Sequence, residues 1–345
     1  MKNKSFVIML SLFVFITALL LCIISARWQS SANLIDRVLS QNVRNIIGFT
    51  AGIIPFSFIE ALIILSPVIL TSLIIYILKS KNEKREIVRR FLTALSPFFV
   101  LLSIFIISGV IPSFCTEYSA RIVNTNKEPK SESLILVTKK LISEISAENS
   151  EEPTHEDIRK TIRQEIEINS HGYGLNAEFL PKPKRFERYS LLSKLGILGL
   201  YSHISCEVVE NIEIPKYLYP FTLMHEYMHH LGARSEADAN FMAFVLLYNS
   251  KNEYLKYSAV LYASEYMLAD VYRFSPDMYT KLYRLLPSRA VNDLNCYKNY
   301  AAEYKGEAEQ IASRINGVYL DSFDSHGSIS YSRFCGYITN YLSSA

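Results

Sequence analysis

Residues 223–241, LMHEYMHHLGARSEADANF, gather histidines and acidic side chains within an otherwise apolar stretch. His225 and His229 are four positions apart, so on a helix they share one face. Two imidazoles at that spacing converge on a single metal ion, each nitrogen about 2.0–2.1 Å from it. Glu226 directly follows the first histidine. In an H-E-x-x-H arrangement that residue is not a ligand but handles the proton of the attacking water. A catalytic zinc needs a third protein ligand and one open position. Glu236 is the first candidate, with Asp238 the alternative. Asn240 follows Glu236 by one helical turn and would share its face, where it suits a partner to a ligand. Buried histidine and glutamate on a metal-free helix would be a costly set of polar groups, which favours Zn²⁺ as the cofactor. His230 points to another face and reads as an ordinary surface or core histidine. His155, His171, His203 and His326 stand alone and are read the same way.

The elements that must position these groups are marked by their ends. Pro220 suits a first helical turn, where its missing N–H costs nothing. Gly232 suits the position just past a helix C-terminus. Ser235 is placed to cap a second helix, EADANFMAFVLLY, which would fold back beside the first. Upstream, KRFERYSLL, GILGLY and ISCEVVENIEI are short, β-branched and broken by Gly and Ser, predicting two or three short strands over 184–214. SLILVTKKLISEIS and HEDIRKTIRQEIEIN show helical spacing, the latter with Thr154 as N-cap. From Pro220 onward the pattern is helical almost to the end, over 220–231, 235–249, 253–273, 276–286 and 288–315, with a last helix in SISYSRFCGYITNYL.

The N-terminal third has a different texture. Residues 5–26 and 91–113 carry no charge, and 45–78 carry only Glu60. About 20 apolar residues suffice to cross a bilayer as a helix, giving three spans near 5–26, 57–78 and 91–112. The first follows MKNK and is longer than a signal peptide's apolar core, so it reads as an uncleaved anchor. Lys79, Lys81, Lys84, Arg85, Arg89 and Arg90 share the loop between the second and third spans, whereas 27–44 holds only Arg27, Arg37 and Arg44. Basic loops stay in the cytoplasm, which places 114–345 outside. The chain then divides into a membrane section, 1–113, and a domain, 114–345. Glu60 reads as an interfacial carboxylate near the outer surface. Lys216 and Arg234 flank the candidate metal helix, and the apolar run 241–248 is too short to span, so the chemistry is not intramembrane.

Net charge is +3 from 36 basic and 33 acidic residues, too mild a balance to suggest nucleic acid, and no basic face with interleaved aromatics is present. The expected partners are the lipid bilayer and a peptide or protein substrate. Cys115, Cys206, Cys296 and Cys335 fall in the external domain, where they would form two disulfides or serve as small buried hydrophobes. No Cys-x-x-Cys pair supports a thiolate metal site.

PFTLMHEYMHHLGARSEADANFMAFVLL resembles the hallmark of a bacterial family known only as domain of unknown function 3810. PFSFIE (55–60), LLSKLGILGLY (191–201), Glu207 with Asn211, and the closing SISYSRF (328–334) are similar to that family as well. The resemblance implies a few N-terminal spans followed by a zincin-like domain in the bacterial cell membrane. It also implies, on family position alone, that Tyr331 or Arg333 donates to the oxyanion. At position 238 the family leads one to expect Glu, and Asp238 stands there instead, which favours Glu236 as the ligand. Glu236, Ala239 and Asn240 also resemble the E-x-x-A-D of membrane prenyl-protein peptidases, in which the glutamate binds zinc. The expected fold is mainly α: transmembrane helices, then a zincin-like α+β domain with a small sheet and the H-E-x-x-H helix. The expected function is a membrane-anchored zinc metallopeptidase with His225, His229 and Glu236 as ligands and Glu226 as base. The alternatives are a metal-binding sensor without hydrolytic activity, and a zinc amidohydrolase acting on cell-envelope material.

Overall fold

The computed structural model describes residues 2–79, 84–146, 152–188, 190–307, 309–314 and 330–344. It divides into two compact units, Met1–Thr116 with Ser202–Glu207, and Glu117–Tyr201 with Val208–Ala345. The chain is mainly helical with one small sheet.

In the first unit, helix α1 (Lys2–Arg27) packs along α5 (Lys84–Phe105), with Phe15 stacked on Phe99 at 5.3 Å between ring centroids. Between them in sequence come α2 (Gln29–Ile35), α3 (Gln41–Ile53) and α4 (Phe58–Leu78). Three stretches are long and apolar enough to cross a membrane: Ser5–Arg27, Phe58–Leu78 and Lys84–Arg121. The third runs beyond the expected 91–112, because a basic first turn precedes its apolar core and a π turn, Ile106–Val110, then a 3₁₀ turn, Ile111–Phe114, follow it. Helix α4 starts at an N-cap, Ser57, whose hydroxyl accepts from the Glu60 N–H. Glu60 is buried in that first turn. The carboxylate of Glu207 closes the same helix end, accepting from the N–H groups of Phe58 (2.9 Å) and Ile59 (3.0 Å). Both contacts satisfy donors that an α-helix leaves open.

In the second unit, α6 (Ser131–Ser143) and α7 (His155–Asn169) come first. Thr154 and Asp157 form a reciprocal capping box at the start of α7. The sheet contains β1 (Lys184–Arg185), β2 (Gly199–Ser202) and β3 (Glu207–Glu210) in the order β1-β3-β2, so β2 is an edge strand. β1 runs parallel to β3, with Lys184 opposite Val209. The SLL of KRFERYSLL, expected to be extended, instead forms the short helix α8 (Ser190–Lys194), where Leu192 and Ser193 are buried. Helices α9 (Tyr219–Leu231), α10 (Glu236–Tyr248), α11 (Glu253–Phe274), α12 (Pro276–Tyr283) and α13 (Ser288–Tyr304) follow, and the last helix is Ser330–Ser344.

Helix α10 is buried from Ala237 to Leu247, the signature of a helix that is core on every side. Its neighbours are α9, α11 and the last helix. Phe334 joins this core, near Phe221, Phe244, Tyr262 and Tyr266, and Phe221 stacks on Tyr262 at 3.7 Å. Burying such an aromatic side chain stabilises by about 1.5–3 kcal/mol, so this cluster fixes α9 against α11.

Cys206 and Cys335 are buried, Cys115 is half-buried and Cys296 is exposed; among the described residues all five cysteines are free thiols. Of the two readings for these residues, buried small hydrophobes fits Cys206 and Cys335, and Cys296 follows neither.

Candidate metal centre

Helix α9 begins as the proline predicts. Pro220 occupies its first turn and Gly232 ends it at φ 112°, a left-handed conformation open to glycine at no steric cost. The turn is closed by the Gly232 N–H donating to the His229 carbonyl (3.1 Å) and the Ala233 N–H to the Met228 carbonyl (2.9 Å). Ser235 then caps α10, its hydroxyl accepting from the Asp238 N–H at 3.2 Å. Two short-range signals therefore fold α10 back on α9 and bring Glu236 to the histidines.

The start of α9 is fixed by a buried carboxylate. Glu210, at the end of β3, accepts from Arg159 through Nε (2.8 Å) and Nη2 (2.6 Å), from Arg185 Nε (2.7 Å) and from the Tyr219 hydroxyl. Burial alone would raise the Glu210 carboxyl, but the hydrogen bonds from Arg159, Tyr219 and Arg185 hold it below its ordinary value. One side chain thus ties α7, β1 and β3 to the first residue of α9.

The ligand atoms of His225, His229 and Glu236 lie within 4.8 Å of one another. His225 Nε2 is 3.2 Å from Glu236 Oε2, His229 Nε2 is 3.6 Å from Glu236 Oε1, and the two Nε2 atoms are 3.0 Å apart. His229 Nδ1 meets the Ala233 carbonyl at 2.7 Å. A carbonyl only accepts, so Nδ1 carries the proton and Nε2 turns a bare lone pair inward. His225 Nδ1 is buried outside hydrogen-bond geometry, with the Asn240 side chain beside the ring. Burial disfavours a charged His225, but the Glu236 carboxylate outweighs it and raises the imidazole above its usual value. Burial would likewise raise Glu236, and the two imidazoles hold it well below the carboxylate range. The inward lone pair of His229, the His225 imidazole and an ionised Glu236 carboxylate face one small volume, a donor set that suits a divalent cation. Two histidines and one glutamate are a known ligand set for catalytic zinc.

Glu226 is buried beside this cluster, and burial is the main reason its carboxyl is raised. Strand β2 lies directly on it. A Cβ at Gly199 would fall 2.8 Å from Glu226 Oε1 and 2.8 Å from Thr222 Cγ2, so a side chain there forces one of them to move. The Tyr201 backbone adds a hydrogen bond to the Glu226 carboxylate. Neither Gly199 nor Tyr201 stood out in the sequence, although LLSKLGILGLY did.

The remaining candidates go elsewhere. Asp238, the alternative ligand, turns its carboxylate to the N–H groups of Tyr118 (3.1 Å) and Ser119 (2.7 Å). Burial and the Glu117 charge push it up to about 6. As the third residue of α10 it points away from the face that carries Glu236. Arg333 pairs with Glu117 (Nη2 to Oε2, 3.0 Å), which also accepts from Ser235 Oγ (2.7 Å) and the Tyr337 hydroxyl (3.1 Å). Arg333 is therefore a clamp on the α10 N-terminus rather than an oxyanion donor. Tyr331 lies in the last helix, and its side chain is outside the described residues, as is His326. His230 meets the Phe179 carbonyl at 3.2 Å and packs against Tyr201, and His155 packs edge-on against Tyr219. Neither joins the cluster. Glu117 is the positioning residue that the sequence concealed: it follows the third apolar stretch with no motif around it.

No curated protein and no solved structure matches the chain. A family model described as "Protein of unknown function (DUF3810)" matches residues 36–339, which take in α3 to α5, the sheet and the whole His225–Glu236 cluster, and the chain belongs to that family.

Proposed function

We propose that this protein is a membrane-anchored zinc metallopeptidase with a zincin-like catalytic domain. The observation that carries the reading is the convergence of His225, His229 and Glu236, with Glu226 buried alongside. These three residues would hold Zn²⁺. When bound there, zinc supplies a Lewis acid that polarises a carbonyl and makes water more acidic. Glu226 takes a proton from the attacking water and delivers it to the leaving amine. Its raised carboxyl suits both tasks, because a catalytic group works best when its pKa approaches the working pH. The Ala233 carbonyl orients the His229 imidazole, Asn240 lies beside the His225 ring, and the β2 backbone bonds the Glu226 carboxylate. The β2 edge favours a peptide as substrate, since an extended chain adds to an open strand through main-chain hydrogen bonds.

The three apolar stretches support an integral membrane protein. The basic loop 79–90, of which 80–83 lie outside the described residues, favours a catalytic domain on the extracytoplasmic side.

The test is a mass-spectrometric search for cleavage of a random peptide library by the full chain purified in detergent. Zinc-dependent cleavage that disappears in Glu226→Gln is the expected result. Cleavage at the parent rate by Glu226→Gln would exclude the assigned base.

A further inference from the structure

Residues 29–53 form one unbroken helical rod: α2, a π turn at Asp36–Ser40, and α3. At 1.5 Å per residue it is about 37 Å long. It is absent from the three membrane-crossing candidates, and Asp36, Arg37 and Arg44 lie within it. Its polarity runs inside out. The side of α3 turned into the protein carries Gln41, Arg44, Gly48 and Ala51, at helical spacing of three and four. Arg44 is 0% exposed and pairs with Asp36 at 2.8 Å. The side turned outward carries Leu34, Val38, Ile46, Phe49 and Ile53, of which Ile46 is 64% and Ile53 71% exposed. Two polar side chains on this outer side, Asn42 and Thr50, bond to their own helix backbone, while Arg37 is exposed beside Val38. The Asn42 amide donates to the Val38 carbonyl at 2.7 Å, and the Thr50 hydroxyl donates to the Ile46 carbonyl at 3.0 Å. A polar group needs such a partner where no water reaches it.

The rod packs against α1 and against the π and 3₁₀ turns that follow α5. Ile35 packs on the cluster of Ala18, Ile106 and Ile111, where α1 and α5 meet. Asn33 and Thr116 exchange two hydrogen bonds, 2.9 and 3.1 Å, just past the 3₁₀ turn Ile111–Phe114. The chain enters the rod from the C-terminal end of α1, at Trp28, and leaves it for the N-terminal end of α4. If α1 and α4 cross a bilayer, both of these ends lie at one face, and so does everything between them.

We propose that 28–56 is an in-plane membrane-interface element, with the outward apolar stripe of α2 and α3 lying in lipid where α1 ends and α4 begins. This rests on the membrane reading above. Lipid is the occupant because the stripe is continuous with the apolar helices at both of its ends, and because 45–59 carry no charge. Interfacial helices bury their apolar face about 5–10 Å into the headgroup–acyl boundary. Trp28 is 60% exposed at the entry to the rod, a placement typical of the aromatic belt.

Trp28 is the sole tryptophan of the chain, which makes the test direct. The full chain is reconstituted in phosphatidylcholine vesicles whose acyl chains are brominated either near the carboxyl end or near the methyl end. In a Trp28→Phe background, one reporter is placed by Val38→Trp, Ile46→Trp or Ile53→Trp, with Leu70→Trp in α4 as control. The expected result is loss of emission at all three rod positions, greater with bromine near the carboxyl end, and the reverse order for Leu70→Trp. Unquenched rod positions beside a quenched control would overturn the proposal and leave the membrane reading intact, pointing to a protein partner or water on this face. A depth that changes steadily from Val38 to Ile53 would overturn it in favour of a crossing helix. An unquenched control would remove both.

Discussion

In the first unit the side chains turned inward include Arg44, Ser57, Glu60 and Ser103, while those turned outward include Phe13, Ile46 and Val68. In the second unit the inward set is Phe221, Phe241, Phe244 and Phe334, and an outward apolar residue such as Ile168 stands among charged neighbours, Glu165 and Glu167. The same twenty side chains are sorted in opposite directions, and the sorting reports the solvent each unit is built for. The difference also explains how the second unit holds its polar cluster. His229 and Glu226 are buried in the core of that domain, where other buried carboxylates, Glu210 and Asp238, are each hydrogen-bonded. Such a set persists only when its members satisfy one another or an ion.

The largest expected effect is on chemistry. Glu226→Gln should lower the hydrolytic rate by about 10²–10⁴-fold, the usual worth of a positioned general base. Bound zinc should be unchanged, since Glu226 is not in the ligand set. Rate measurement beside elemental analysis of the same sample checks both halves.

Next is the carboxylate that fixes α9. Glu210→Gln should destabilise the second unit by about 3–5 kcal/mol, because it leaves Arg159 and Arg185 facing a neutral group in a largely buried site. Its pH dependence has a defined sign. The folded pKa of Glu210 lies below the unfolded value of about 4.3, so its contribution is present above that pH and is lost as pH falls through the folded value. Melting followed by circular dichroism should show the gap between parent and variant largest near neutrality and shrinking in acid. A gap that widens in acid would contradict the assignment.

The contrast between the two surfaces can be tested with a matched pair. Val68 and Ile168 are 62% and 76% exposed, so by exposure alone they are equivalent. Val68→Lys should cost membrane insertion about 2.5–3.5 kcal/mol, whereas Ile168→Lys should change stability by no more than about 0.5 kcal/mol. The membrane-bound fraction of each variant and its melting temperature measure this. Equal tolerance at both positions would erase the distinction between the units.

A smaller loss than at Val68 is expected at the α10 cap. Ser235→Ala removes an acceptor for the Asp238 N–H and the donor to Glu117. It should cost about 0.5–2 kcal/mol. Because Glu236 is the first residue of α10, zinc affinity should fall along with stability, and competition with a chelator would read that out.

What the sequence disclosed and what it withheld follow from range. His225, Glu226, His229, Gly232, Ser235 and Glu236 are within a dozen positions, and helix period, a stop glycine and a cap are local rules. Asp238 was a weaker case. Its proximity to Glu236 made it a rival ligand, and only its bonds to Tyr118 and Ser119, more than a hundred residues away in sequence, show its role. Glu117 and Gly199 were hidden for the same reason: each acts on the site through contacts of long sequence separation, which no periodicity records. The rod at 29–53 escaped because Asp36, Arg37 and Arg44 broke the apolar run. Burial of Arg44 against Asp36 is a tertiary fact, and without it the sequence shows only a connecting loop, 27–44, and an apolar stretch ahead of the span near 57–78.

The most direct test of the central claim is metal content. The full chain, purified in detergent, would be analysed by elemental mass spectrometry beside His225→Ala and Glu236→Ala variants that retain the parent's circular dichroism. The account predicts one zinc per chain in the parent and little or none in either variant. A folded parent without zinc after incubation with the metal, or variants that retain it fully, would contradict the assignment of His225, His229 and Glu236 as a metal centre.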